Sequence, residues 1–387
     1  MKMKKFISFA AVAAMVALGM TSCDDTDNGP QFIPTEISDG VFVLNSGNQS
    51  GKIDGTITYY DYATGEATQN MYQAANQKSL GVTIPGAVVY GSKIYIVGSV
   101  ESTVFIADRK TLKEIATDTT QIKDEEGKVV KIKGRGICAG EGKVFVATYN
   151  NTVFAIDTLT NKICKEYKSG DYSDGICYSN GYLYTGDTAY GKYGTDSPLK
   201  PSVTKINVAT GESTIIKNEG FRNPTDIVCV DGRIFVQDKG YYDKSTGKSI
   251  QVDQNLFELN PDGSIGKSIT PASTICASND KIYIIYYPYG AGKTPVYKVY
   301  DVKTDKLDTF CEGKEVLYPN KISVDPVKNI VYITSYQYIS GTTNPDYKAD
   351  CFVAMYDANT GKFLKTFNCG VGGGAVVPNS HIEIIKK

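Results

Sequence analysis

Thr152-Val153-Phe154-Ala155-Ile156-Asp157-Thr158-Leu159-Thr160 is an apolar run closed by an acid and a short polar stretch. A run of this length, rich in β-branched and aromatic residues, reads as a strand entering a tight turn. The same phrase recurs six more times, ending at Asp61, Asp108, Asn207, Asn260, Asp301 and Asp357. Successive ends lie 47, 49, 50, 53, 41 and 56 residues apart. A strand-and-turn unit with a period of roughly 40–55 residues is the mark of a β-propeller. The sequence therefore predicts an all-β chain: a seven-bladed β-propeller of four-stranded antiparallel blades.

Around residues 152–160 the rest of one blade can be read. Gly136-Ile137-Cys138-Ala139 makes a first strand, Lys143-Val144-Phe145-Val146-Ala147 a second, and Lys162 to Tyr167 a fourth. Most of these strands are apolar at nearly every position, as befits blades covered on both faces by their neighbours. Gly142-Lys143 and Asp231-Gly232 mark hairpins between first and second strands; Thr64-Gly65, Thr210-Gly211 and Thr360-Gly361 mark those between third and fourth. The N-terminal unit opens with a second-strand pattern, Val41-Phe42-Val43-Leu44, whereas the chain ends on a first-strand pattern, Gly374-Ala375-Val376-Val377-Pro378. The tail is therefore expected to complete the first blade and close the ring, leaving no free sheet edge.

The 387 residues include 28 Tyr and 38 Gly but no Trp, a strand-and-turn composition. With 41 basic against 42 acidic residues the net charge is −1, which lacks the basic footprint of a nucleic-acid binder. Residues 1–22 read as a lipoprotein signal peptide: a cationic Met1-Lys2-Met3-Lys4-Lys5, an apolar Phe6 to Met20, and Thr21-Ser22 before Cys23. Cys23 is the expected lipidation site, anchoring the chain to a membrane. Residues 23–36, beginning Asp24-Asp25-Thr26-Asp27, are expected to be a flexible acidic tether, and 37–387 the propeller.

Catalytic motifs are sparse. The single His, His381, lies six residues from the end and suits a surface or capping position better than a triad. Gly370-Val371-Gly372-Gly373-Gly374 lacks the setting of a phosphate loop and reads as the way into the closing strand. Cys138, Cys177 and Cys276 fall at one level of three first strands, with Cys229 one position on; all read as small hydrophobes near the axis. There is no CxxC, and no metal site or cofactor is expected. Cys351 and Cys369 should face each other across a hairpin and are the pair that an exported protein could oxidise to a disulfide.

Second-to-third loops and blade connections open on one face of a propeller. On this chain the loops of blades two and three are minimal, while those of blades four to seven are long and rich in Tyr and Gly. They carry Tyr190 and Tyr193, then Tyr241 and Tyr242, then Tyr286, Tyr287 and Tyr289, then Tyr336 and Tyr338. Blade connections bring Arg135, Tyr172, Arg222 and Asn223 to the same face, along with Tyr318. Tyr offers a flat apolar ring and a hydroxyl at small entropic cost, so these residues are the candidate ligand-binding set, an aromatic pit for a flat or ringed ligand. Thr119 to Gly134 reads as an extra hairpin turning at Glu126-Gly127 that could wall one side.

The repeat grammar, seen in Lys93-Ile94-Tyr95-Ile96-Val97 followed by Thr103-Val104-Phe105-Ile106-Ala107-Asp108, resembles the YncE-like seven-bladed propellers. The lipidation motif, the acidic run and Gly40-Val41-Phe42-Val43-Leu44-Asn45-Ser46-Gly47-Asn48 resemble the Bacteroidetes lipoprotein branch of that group. That branch includes a surface lipoprotein that captures cobalamin for a TonB-dependent transporter. The resemblance implies a cell-surface, outer-membrane lipoprotein that binds a nutrient without acting as an enzyme. The nutrient would be a corrinoid, another ringed small molecule or a glycan, delivered to a TonB-dependent outer-membrane transporter. Two other readings stay open: a protein–protein platform in an uptake or adhesion complex, and a propeller lyase or lactonase with acids at the channel mouth.

Overall fold

The computed structural model describes residues 32–123, 126–188, 201–311, 316–342 and 344–386. The expected signal peptide, Cys23, and the loop bearing Tyr190 and Tyr193 lie outside them.

The repeated phrase folds as its chemistry requires. Asp157 Oδ1 accepts the amides of Leu159 and Thr160 and the Thr160 hydroxyl, while the Asn161 amide bonds the Asp157 carbonyl. Asp61, Asp108, Asn207 and Asp357 make the same local bonds. This side-chain mimicry of a turn ends the third strand and aims the fourth back along it. On the other edge, Asp231 and Gly232 both have positive φ, 50° and 77°, as a two-residue hairpin turn demands.

Among the described residues the strands assemble into seven four-stranded antiparallel sheets. The third, for example, runs Gly134–Gly140, Lys143–Thr148, Thr152–Asp157 and Lys162–Lys168 from inside out. The innermost strands form a circle: Gly373–Lys386, Ala87–Tyr90, Gly134–Gly140, Ser173–Ser179, Pro224–Val230, Thr274–Ser278 and Pro319–Asp325, each touching the next and the last touching the first. Seven apolar clusters fill the seven wedges between neighbouring sheets. Within one strand the alternating side chains serve two different wedges. Val144 and Val146 face the second sheet, and Phe145 and Ala147 the fourth. That is why the strands read as continuously apolar. The architecture is a β-propeller.

The first sheet is ordered Gly373–Lys386, Phe32–Asn45, Thr56–Asp61, Ala67–Thr68, so the C-terminal strand supplies its inner edge. Phe32 to Glu36, expected in the tether, instead continue the strand, pairing from Phe32↔Lys386 to Glu36↔Ile382. Ile33 pairs with Ile385 and Ile37 with His381 along this two-stranded extension. A six-residue helix, Met71–Asn76, was not foreseen; it buries Tyr72 against the first wedge, where the Tyr72 hydroxyl donates to Glu114.

The cysteines differ from expectation. Cys351 and Cys369 are both free and buried in the wedge that closes the ring. A register shift separates Asp350↔Val371 from Phe352↔Asn368, so the two thiols do not oppose each other in a regular pair. The disulfide joins Cys177 to Cys229 across the wedge between the fourth and fifth sheets. The one-position offset of Cys229 turns it to the opposite face of its strand, back towards Cys177.

Candidate functional site

The connections between sheets and the second-to-third loops open on one face, above an axial cavity of about 680 Å³. Inner strands of the third, fourth, fifth and seventh sheets each carry a register shift just where they start, between Gly134 and Ile137, Ser173 and Gly175, Pro224 and Asp226, and Pro319 and Lys321. A bulge re-aims side chains. Both residues at these points line the cavity: Arg135 and Gly136, Asp174 and Gly175, Thr225 and Asp226, Asn320 and Lys321. Glycine is required at two of them, since a Cβ on Gly136 would lie 2.5 Å from the Asp174 carbonyl oxygen and one on Gly175 2.7 Å from that of Thr225.

Lys239 completes a charged group of five. Its backbone is held by the Asn223 carbonyl, and Asp238 before it accepts the amides of Arg222, Asn223 and Gly240. Arg135 donates to Asp174 at 2.7 Å and lies over the Tyr149 ring, 4.7 Å from its centre. Burial pushes the Asp174 carboxyl up, but Arg135, Lys239 and Lys321 outweigh it and hold the group below its usual value. Asp226 moves the other way, raised by burial against the pull of the same lysines. Lys239 is lowered, first by burial and then by the neighbouring cations Lys321 and Arg135, against the opposing pull of the two aspartates.

Aromatic rings gather above sheets five to seven. The chain detours there through two small ribbons, Tyr241–Asp243 with Ile250–Val252 and Gln337–Tyr338 with Pro345–Asp346. Tyr242 meets Tyr289 edge-on at 6.1 Å, Tyr287 meets Tyr318 at 6.2 Å, Tyr318 meets Tyr338 at 5.2 Å, and Tyr336 meets Tyr347 at 4.9 Å. Tyr287, Tyr318 and Tyr338 line an open cavity of about 480 Å³ together with Leu317, Ile339 and Lys293. Edge-to-face pairs hold the rings in fixed orientations relative to one another.

Of the residues expected at the site, Tyr242, Tyr287, Tyr289, Tyr336 and Tyr338 lie in this aromatic cluster. Arg135 and Tyr172 lie across the axis, where Tyr172 meets Tyr149 at 5.4 Å. Tyr241 sits half-buried in its ribbon, and Tyr286 lies beside Lys293, with the ammonium 5.8 Å from the ring centre. Arg222 is exposed and donates to the Glu219 carbonyl, while Asn223 is buried beneath the Asp238 loop. The Gln121–Lys123/Val129–Lys131 hairpin forms as expected but lines neither cavity. Sequence reading missed Asp174, Asp226, Lys239, Lys321 and Tyr347. The available signal was a charged residue one or two positions before an inner-strand Ile, in SDGI, TDI and NKI, at Asp174, Asp226 and Lys321.

Residues 39–129 match the model of DUF5074, a domain of unknown function. No curated protein matches the chain. Among solved structures, the chain is similar to the computationally designed Ika8 protein at 12% identity and a TM-score of 0.51, covering 90% of this chain and 97% of that one. It is similar to Kuenenia stuttgartiensis hydrazine synthase at 13% identity and a TM-score of 0.53, covering 79% of this chain and 96% of that one. It is also similar to the dihydro-heme d1 dehydrogenase NirN in complex with DHE, at 11% identity and a TM-score of 0.51, covering 87% of this chain and 74% of that one. At these identities the likeness is one of fold.

Proposed function

We propose that this chain is a lipid-anchored, surface-exposed capture protein that holds a ringed nutrient non-covalently and delivers it to a TonB-dependent outer-membrane transporter. The observation that carries this reading is the tyrosine cluster: Tyr287, Tyr318 and Tyr338 wall one open cavity, and Tyr242, Tyr289, Tyr336 and Tyr347 extend it. Stacking on rigid aromatic rings suits a planar or macrocyclic ligand and costs little side-chain entropy. The resemblance to YncE-like lipoproteins, and distantly to the cobalamin-capturing BtuG, makes a corrinoid the first ligand to try.

The exposed apolar rim favours a second reading, a protein-docking platform. Tyr289 is 64% exposed, Tyr347 54% and Ile339 45%, the kind of exposed apolar side chains that a docked partner would cover. Asp174 and Asp226 both line the axial cavity and are the acids that a lyase or lactonase reading would call on, although Arg135 holds Asp174 and lysines attend both.

Calorimetric titration of residues 24–387 with cyanocobalamin, haem and a glycan panel tests the capture reading. Saturable binding to one class supports it. Silence across the panel, with capture of the partner transporter intact, overturns it in favour of the platform.

A further inference from the structure

The axial cavity carries a charge pattern that the aromatic reading does not use. Among the described residues its lining holds three cations, Arg135, Lys239 and Lys321, and two carboxylates, Asp174 and Asp226. Arg135 is committed to Asp174. Lys239 and Lys321, by contrast, have no carboxylate within ion-pair distance among the described residues. They come from the fifth and seventh sheets, on either side of the sixth, whose share of the lining is uncharged: Ser273, Ile275, Cys276 and Ala277.

We propose that the mouth of this axial cavity is a binding site for a singly charged carboxylate, held between the Lys239 and Lys321 ammonium groups. Three considerations lead there. Unbalanced charge in a confined cavity is costly, and the five groups sum to one excess positive charge, which a monoanion neutralises. A dianion such as sulfate or phosphate would leave an excess negative charge beside Asp226. Polar groups are also placed for such a guest. The Ser273 oxygen accepts the Tyr287 amide, leaving the hydroxyl proton to donate, and Asn320 uses its amide on the Gly373 carbonyl and retains a second N–H. The buried Gln237 Oε1 on the same wall has no partner while its amide nitrogen donates to Ala272, so a hydroxyl on the guest would be met. Ammonium–carboxylate contacts are charge-assisted and stronger than neutral hydrogen bonds, and the half-buried lysines are screened less than lysines on an open surface.

The site is separate in chemistry from the tyrosine cavity, and its test does not depend on that reading. The probe is propionate, titrated into residues 24–387 and followed by NMR chemical shifts, with propionamide and sulfate as controls of matched size and of higher charge. Propionate is expected to saturate, with both controls at least about tenfold weaker. Lys239→Met and Lys321→Met should each weaken propionate about tenfold or more, while Lys110→Met, in an exposed turn, should not. Lys321→Arg keeps the charge and is expected to hold affinity, which separates loss of the site from loss of the fold. Binding should also weaken as pH rises through the alkaline range. Lys239, facing Arg135, Asp174, Asp226 and Lys321, loses its proton earlier than an ordinary lysine. Alanine at Tyr287, Tyr318 and Tyr338 should leave propionate binding intact. Failure to saturate, equal binding of propionamide, or full affinity in Lys239→Met and Lys321→Met would overturn the assignment.

Discussion

Asp157 shows how far a single residue can be read. Its turn is built from groups within four residues of one another, so the Asp alone announces it. The hydrogen bonds favour the ionised carboxylate, and the Thr160 amide, the largest influence, holds Asp157 below its usual value. Asp157→Ala should cost about 1 kcal/mol, since these bonds are partly solvated, and should move the urea midpoint down. An unmoved midpoint would show the turn to be held by its strands. Asn260 follows the pattern less closely, because Asp262 takes over the Ser264 amide there. Asp187 was not legible at all. Its carboxylate receives the hydroxyls of Ser173, Thr185, Ser202 and Thr204, brought together from three strands. Burial nevertheless dominates and lifts it from 3.8 to about 6. Between these values the unfolded chain has lost the proton that the folded chain keeps, so stability contributed by Asp187 at low pH is lost as pH rises through about 4 to 6. Two units at about 1.4 kcal/mol each give about 3 kcal/mol. The difference in stability between wild type and Asp187→Asn should therefore change by that order across the window; a constant difference would mean Asp187 is as easily ionised as in the unfolded chain.

At the scale of elements, the closing strand was legible because its pattern lacked a partner: a first strand with no blade after it, and a first blade with no first strand. Deleting the residues after Gly370 removes Gly373–Lys386, the inner strand of the first sheet, and with it Val376 from the closing wedge. Loss of cooperative melting is expected; melting as in the full chain would refute closure by the tail. The helix Met71–Asn76 was hidden because six residues give too little periodicity to separate from a loop. The disulfide was hidden for a different reason. Cys177 and Cys229 occupy adjacent levels on the strand pattern, and only the neighbouring of the fourth and fifth sheets brings them together. Non-reducing peptide mapping should recover Cys177 linked to Cys229, with Cys351 and Cys369 alkylated only after unfolding. A Cys351–Cys369 peptide would contradict this. Replacing both Cys177 and Cys229 by Ser should cost up to about 4 kcal/mol by loop-closure entropy for a separation of 52 residues.

At the scale of the molecule, seven apolar wedges hold seven sheets in a circle, and the face above the axis is left to loops that the core does not constrain. That division decides what the sequence could reveal. Repeats encode the wedges, so the propeller was readable from spacing alone. The tyrosines of the long loops were readable as composition, but their grouping over sheets five to seven depended on two ribbons, one carrying Tyr242 to Tyr289 and the other Tyr338 to Tyr318. The charged group at the axis left only a local trace, a charged residue near the start of an inner strand, and its assembly was hidden, since Arg135, Asp174, Asp226, Lys239 and Lys321 are spread over 187 positions of the sequence and meet only once the ring is formed. Affinity for the ringed ligand, compared between wild type and a variant with Tyr287, Tyr318 and Tyr338 replaced by Ala, tests the capture role most directly. A loss of about a hundredfold or more, with thermal melting preserved, is predicted, since each stacked ring contributes about 1 kcal/mol or more. Undiminished affinity in that folded variant would contradict the placement of the ligand among the tyrosines.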